Sequence, residues 1–206
     1  MRRTKEDAEI TRLALIKAAL RVFSEKGYGG TRLEDIAAVA GVTRGAIYHH
    51  FGGKFELYLA VFEEFWRRAD PIFEEEMGRE GRYLDKFRRM FIRYLELVER
   101  DPEFQAMMEL SFQRPEVSES EREMLEKGIG LKRAAIGDAL DQVATFLGKA
   151  KEDGEVREDV DIDVASQAYM GMFQGLALLW LLMRQRFSIK MNATAVVDIF
   201  IRGIMK

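Results

Sequence analysis

Apolar residues recur every three or four positions along nearly the whole chain, and neither strand alternation nor a repeat of 20 to 50 residues appears. The pattern predicts an all-α fold. Leu13, Ile16, Leu20 and Phe23 place a first helix from about 10 to 26, closed by Lys26 in its last turn and Gly27 beyond. Leu33 and Ile36 open a second amphipathic run behind Thr31-x-x-Glu34, which has the form of a capping box. Ala37 is small enough to let another helix cross closely, and Gly41 suits a tight turn that needs φ > 0. Val42 and Ile47 are apolar anchors on either side of Thr43, a good N-cap. Helix, short glycine turn, helix is the helix-turn-helix spacing.

Gly52-Gly53 then breaks the chain and Lys54 opens a fourth helix through Leu57, Val61, Phe62, Phe65 and Trp66. Pro71, preceded by Asp70, either kinks that helix or starts a new segment as its first residue. Five more helices are expected beyond 77. One runs from 84 to 99, with Phe87, Met90, Phe91, Tyr94 and Val98 on one face. A short one begins at Asp101-Pro102 and carries Phe104, Met107, Met108 and Phe112. A longer one runs from about 118 to 153, interrupted near Gly128 and Gly130, and the last two span about 163 to 183 and 192 to 205.

The second helix of the motif has a distinctive face. At ~100° per residue, Ile47 and Phe51 point to one side. Gly45 and His49 point away from it, flanked by Ala46 and Tyr48. Gly, Ala, His and Tyr pack a core poorly but suit a helix whose backbone must approach something closely. Thr43 and Arg44 stand at its leading end, where a helix-turn-helix meets base edges in the major groove. Lys54, at the next helix start, is placed to meet a phosphate. Arg2, Arg3 and Lys5 form a basic arm, read either as a DNA contact or as a solvated tail.

Net charge is only −3, but it is unevenly spread. Residues 1–54 hold ten Lys/Arg against six Asp/Glu, a balance of +4, and the remainder hold 22 against 29, a balance of −7. A basic head on an acidic body fits DNA binding. With 48% apolar residues the chain can fill a real core, and its 206 residues suit one or two domains. The absence of cysteine excludes disulfides, thiolate metal sites and thiol redox sensing. The opening MRRTKEDAEITR lacks the apolar stretch of a signal peptide. The longest apolar run, 168 to 183, contains Gln174 and is shorter than the ~20 residues of a membrane span. The expected location is cytoplasmic, with no membrane partner.

The run from Thr11 to Leu57 resembles the DNA-binding domain of the tetracycline-repressor family. Phe23, Gly27-Tyr28, Thr31, Ile36-Ala37, Ala40-Gly41-Val42, Gly45, Tyr48, His50-Phe51 and Lys54 carry the resemblance. It implies a three-helix helix-turn-helix DNA-binding domain over 1–54, followed by a larger helical ligand-binding and dimerisation domain over 55–206. The implied partners are double-stranded operator DNA, a small apolar or aromatic effector and a second copy of the chain. Candidate DNA contacts are Thr31, Thr43, Arg44, Gly45, Tyr48, His49 and Lys54. Gly171-x-x-x-Gly175 gives the penultimate helix a smooth stripe beside Leu178 and Trp180. Burial inside one subunit would explain the stripe, and the resemblance implies a two-fold dimer interface.

The middle helices are rich in Phe and Met, suited either to an ordinary core or to an adaptable pocket. The resemblance favours a pocket, with Phe62, Trp66, Phe87, Phe91, Met107, Met108, Phe112 and Phe173 as its candidate residues. Gln105, Glu109, Gln142 and Gln174 either orient a ligand or are solvated. The pattern near Trp180 is loosely similar to repressors of multidrug efflux pumps. Catalysis is not expected. His49 and His50 are adjacent and diverge by ~100° on a helix, so they do not chelate a metal together. No nucleophile elbow, P-loop or dinucleotide fingerprint is present, and no cofactor is called for. A DNA-binding regulator without a small-molecule ligand, controlled by a protein partner, is the alternative.

Overall fold

The computed structural model describes residues 5–206 apart from 114, 116 and 185, with the side chains of 65, 66, 120 and 124 also outside that description. The arm residues Arg2 and Arg3 and the expected pocket side chain of Trp66 therefore lie outside the described residues. Among the described residues the chain forms nine α-helices, one 3-10 turn and no strand beyond a single bridge between Val156 and Met205. The helices are α1 (Lys5–Gly30), α2 (Leu33–Ala40), α3 (Arg44–Phe51), α4 (Lys54–Gly78), α5 (Tyr83–Arg100), α6 (Pro102–Phe112), α7 (Arg122–Glu152), α8 (Ile162–Leu182) and α9 (Ile189–Ile204). The all-α expectation holds.

Two compact units share these helices. The first comprises residues 1–68 and 103–130, so it joins α1 to α3 with the start of α4, with α6 and with the start of α7. The second comprises 69–102 and 131–206. The division falls inside α4, just ahead of Pro71, and α4 runs through that proline as one helix.

In the first unit Leu15, Ile16, Leu20 and Phe23 of α1 are buried with Ile36, Ile47, Phe55, Leu57 and Val61. Rings of Phe23, Tyr28, Phe55 and Tyr58 meet at centroid distances of 5.1 to 6.0 Å. Edge-to-face pairs of this kind add to simple burial. The Tyr28 hydroxyl donates to Glu121 just before α7, at 2.5 Å. Ion pairs extend the network. Lys17 of α1 meets Glu103 at the start of α6 at 3.3 Å, Glu103 meets Arg68 at 2.6 Å, and the buried Glu64 accepts from both Arg67 and Arg68.

Two local expectations are corrected. Thr31 and Glu34 do not form a capping box: α2 starts one residue later, and the Arg32 amide donates to Asp35 at 3.2 Å. The Thr31 hydroxyl instead donates to the Gly27 carbonyl at 2.7 Å, closing the end of α1 where Gly27 takes φ 69°. The long helix expected to break at Gly128 and Gly130 is continuous. A Cβ at Gly128 would stand 2.7 Å from Leu59 and 3.4 Å from Phe55, so this glycine serves a close crossing of α7 over α4. Helix packing outweighs the weak local cost of glycine there.

In the second unit α5 packs against α8 and α9, and Arg88 of α5 holds Asp198 of α9 with two hydrogen bonds of 2.6 and 3.0 Å. Glu155 caps α5 from far along the chain, accepting from the Tyr83 and Leu84 amides at 2.8 and 2.9 Å. Glu76 is fully buried and meets Arg79, Arg89 and Arg93 at 3.3, 2.8 and 3.0 Å. Burial alone would raise its carboxyl pKa, but the hydrogen bonds from Arg89 and Arg93 outweigh it and hold the group below its ordinary range.

Glu76→Ala is expected to cost about 1–3 kcal/mol in urea unfolding, less than a fully dry pair because the three arginines keep contact with water. The sign of its pH dependence follows from the depressed carboxyl. The stabilisation is complete above the ordinary glutamate pKa of ~4.3 and is lost as pH falls through the folded value. The variant should therefore lose less stability on acidification than the parent. Parallel unfolding curves from neutral to acid pH check this, and an identical pH slope in both proteins would refute it.

Candidate nucleic-acid interface

An α3 of eight residues is positioned by its turns and by one anchor. Gly41 takes φ 67°, and the Gly41 and Val42 amides donate to Ala38 and Ala37, closing α2 and redirecting the chain. Ile47 is fully buried, so the opposite side of α3 is turned outward. That side exposes Thr43, Arg44, Gly45, Tyr48 and His49 together. A Cβ on Gly45 would find only the Thr43 hydroxyl within 4 Å, at 3.7 Å, so the backbone there is open to close approach. Five of the seven predicted DNA contacts thus share one exposed face.

The other two differ. Thr31 is 3% exposed, and its hydroxyl donates to the Gly27 carbonyl at the end of α1. Lys54 is half-buried, with its ammonium 4.3 Å from the centroid of the Tyr28 ring. Burial lowers its pKa, and the charge of Glu121 opposes that effect.

Arg44 is already engaged. It donates to Glu34 of α2 at 2.7 Å and to the Tyr48 hydroxyl at 2.8 Å, with its guanidinium 5.2 Å from the Tyr48 ring centroid. Sequence reasoning missed the Glu34 contact because it assigned that carboxylate to a cap. Both side chains are more than half exposed, at 55% and 59%, so water screens the pair and it is worth little. Such a pair can open when a base edge or phosphate offers the guanidinium a better partner, while Tyr48 keeps it extended along α3.

This geometry agrees with known relatives. Residues 15–61 match the model of the bacterial regulatory proteins of the tetR family, and residues 83–206 match the C-terminal region of MAATS-type transcriptional repressors. The chain belongs to the TetR family. It is a DNA-binding transcriptional regulator. It is 31% identical to the probable acrEF/envCD operon repressor of Escherichia coli, over 99% of this chain and 91% of that protein. It is 30% identical to the transcriptional regulator TtgR of Pseudomonas putida, over 89% of this chain and 86% of that one. Among solved structures, SmeT in complex with triclosan is 27% identical with a TM-score of 0.80, over 96% of this chain and 92% of SmeT. NalD of Pseudomonas aeruginosa, at 24% identity and a TM-score of 0.82 over 97% and 99% of the two chains, shares the fold.

Within this TetR-family chain the predicted ligand-facing residues separate into two sets. Phe62, Met107, Met108 and Phe112 belong to the first unit, where the two methionines are buried and Phe112 is exposed. Phe87, Phe91 and Phe173 belong to the second, with the Phe91 and Phe173 rings 6.1 Å apart. Tyr169, which sequence reasoning passed over, lies 4.0 Å from Phe87 and 5.4 Å from Phe91. Its signal was present, four residues before Phe173 on the same helix face. Among the described residues no group of three or more His, Cys, Asp or Glu is placed to hold a metal, and no helix is long and apolar enough to cross a membrane.

Arg44→Ala is expected to relax preference at one base pair of each bound site, since one bidentate pair to guanine discriminates by ~1–3 kcal/mol. Competition binding with every single-base change reads this out, and an equal loss at all bases would make Arg44 a backbone contact. Lys54→Ala is expected to lower the salt slope of DNA binding by about one unit. An unchanged slope with reduced thermal stability would leave Lys54 as packing for Tyr28 alone.

Proposed function

We propose that this chain acts in the cytoplasm as a homodimeric repressor that occupies a palindromic operator and leaves it when a small apolar or aromatic effector binds. Residues 1–54 serve as the DNA-reading head and residues 55–206 as the ligand-binding and dimerisation part. The observation that carries this reading is the single exposed face of Thr43, Arg44, Gly45, Tyr48 and His49 on α3. The relative named as an operon repressor, and the structural relative in complex with triclosan, support a repressor with an effector of this kind. Selection of bound fragments from random DNA tests the reading, which requires an inverted repeat among the selected sequences.

Dimerisation is assigned to α8 and α9. Gly171 and Gly175 are exposed, and a Cβ at either would meet nothing within 4 Å, which leaves the room that a second helix needs. Ala168, Gly171, Gly175, Leu179 and Leu182 follow each other at helical spacing as one exposed stripe, and Met191, Ala195 and Ile199 do so on α9. Trp180, one of the residues predicted for this interface, is only 6% exposed and packs within its own subunit, while Leu178 is half-buried. Leu182, 75% exposed, and Ile199, 73% exposed, offer the larger apolar surface. Two heads joined this way meet successive major grooves ~34–36 Å apart.

Gly171→Leu with Gly175→Leu is expected to weaken the dimer, because overpacking costs ~1–3 kcal/mol per site and a two-fold interface meets each change twice. Operator affinity should then fall by about 10²-fold or more as the tethering of two heads is lost, while non-specific binding survives. Sedimentation and operator titration, with circular dichroism as the check on folding, decide it. A folded variant that remains dimeric and binds operator normally would place the stripe outside the interface.

A further inference from the structure

One carboxylate stands against the exposed face of α3. Residues 31–51 contain only two acidic side chains, Glu34 and Asp35. Asp35 serves local structure, accepting from the Arg32 amide at 3.2 Å and meeting Lys26 at 3.0 Å. Glu34 faces the other way. Its Oε1 accepts from Nη1 of Arg44 at 2.7 Å, while Nη2 of Arg44 donates to the Tyr48 hydroxyl at 2.8 Å. The fold of the motif does not depend on this contact, since Leu33, Ile36 and Ala37 anchor α2 and Ile47 anchors α3, and an exposed pair adds little to such a core. A negative charge at this place works against attraction to a polyanion, unless it discriminates among the partners open to Arg44.

We propose that Glu34 is a specificity-determining residue of the DNA-reading head: its carboxylate leaves Arg44 free to bond the neutral edge of a guanine and turns it away from phosphate. The inference rests on the reading of α3 as the DNA-facing helix and deepens it, because Glu34 acts through Arg44 and not as a contact of its own. A guanidinium carries five N–H donors. Glu34 and Tyr48 occupy two of them, and the three that remain suffice for the paired bonds to guanine O6 and N7. Arg44 can therefore meet guanine with Glu34 still in place. A phosphate oxygen that reaches the same guanidinium comes close beside the carboxylate, well inside the ~8–10 Å over which salt screens charge. The two anions repel, and the contact forms only when Glu34 swings away. The neutral base edge meets no such repulsion. Glu34 is thus the repulsive element that selectivity needs, weakening binding to DNA that offers Arg44 nothing but phosphate. Both side chains are solvated, so the effect is several-fold and not absolute.

The test uses the full-length protein, Glu34→Gln, Arg44→Ala and the double variant, each titrated with two duplexes. One is a guanine-containing duplex recovered by selection from random DNA, and the other is an alternating adenine–thymine duplex that offers Arg44 no guanine. Glu34→Gln should bind the adenine–thymine duplex about three- to fivefold more tightly than the parent. Its salt slope on that duplex should rise by about one unit as Arg44 takes up a phosphate. Affinity for the selected duplex should change by less than about twofold, so selectivity falls. In the Arg44→Ala background the same Glu34→Gln change should leave both affinities where they were, which separates steering of Arg44 from general repulsion of DNA. Equal gains on both duplexes, or the same gain with and without Arg44, would overturn the proposal. So would the lack of any gain on the adenine–thymine duplex, or a Glu34→Gln melting temperature several degrees below the parent, which would make the pair structural. If Arg44→Ala alters binding to neither duplex, the reading of α3 as the DNA-facing helix fails, and Glu34 loses its role with it.

Discussion

A helix of eight residues does not hold its shape in water, since isolated helices shorter than ~12–15 residues are marginal even with the best sequences. The exposed face of α3 exists only because Ile47 is locked into the core and the chain on either side turns at Gly41 and Gly52, both with positive φ. Everything else in the first unit can be read as support for that short helix. The rings of Phe23, Tyr28, Phe55 and Tyr58 form the floor. Tyr28 then reaches Glu121, and Lys17 reaches Glu103, so α1 is bound to segments nearly a hundred residues further along the chain.

Charge is handled differently inside and out. The exposed Arg44–Glu34 pair is screened by water and costs little to open. Buried carboxylates are treated the opposite way. Glu64 and Glu76 are each surrounded by more than one arginine, and Glu155 is held by two backbone amides. A lone buried carboxylate would be strongly destabilising, so each is surrounded by donors. The acidic balance of the body is therefore partly structural, spent on pinning α4 to α5 and the 155 loop to α5, rather than a surface field alone.

The second unit combines a dense aromatic cluster with an exposed apolar stripe on its last two helices. Phe87, Phe91, Tyr169, Phe173 and Phe200 approach one another within 6.1 Å or less in successive pairs. Among the described residues the Tyr169 hydroxyl, in the middle of them, has no hydrogen-bond partner. The stripe on α8 and α9 is likewise incomplete in a single chain, since Leu182, Met191 and Ile199 stand mostly in solvent.

The sequence by itself determined the helices, the helix-turn-helix and the exposed face of α3, because each rests on spacing within a few residues. Periodicity of 3.6 placed Ile47 inward and Gly45, Tyr48 and His49 outward before any contact was known. Only the tertiary structure decided the rest. The role of Gly128 depends on Leu59 and Phe55, some seventy residues earlier, so a local reading took it for a break. Thr31 and Glu34 have the spacing of a cap, but the free end of α1 and the guanidinium of Arg44 compete for them and win. Trp180 looked like part of the small-residue stripe, and packing turned it inward while Leu179 and Leu182 took the outer positions. Tyr169 drew no notice in an apolar run, because an unpaired hydroxyl is a property of its surroundings and not of its own position in the chain.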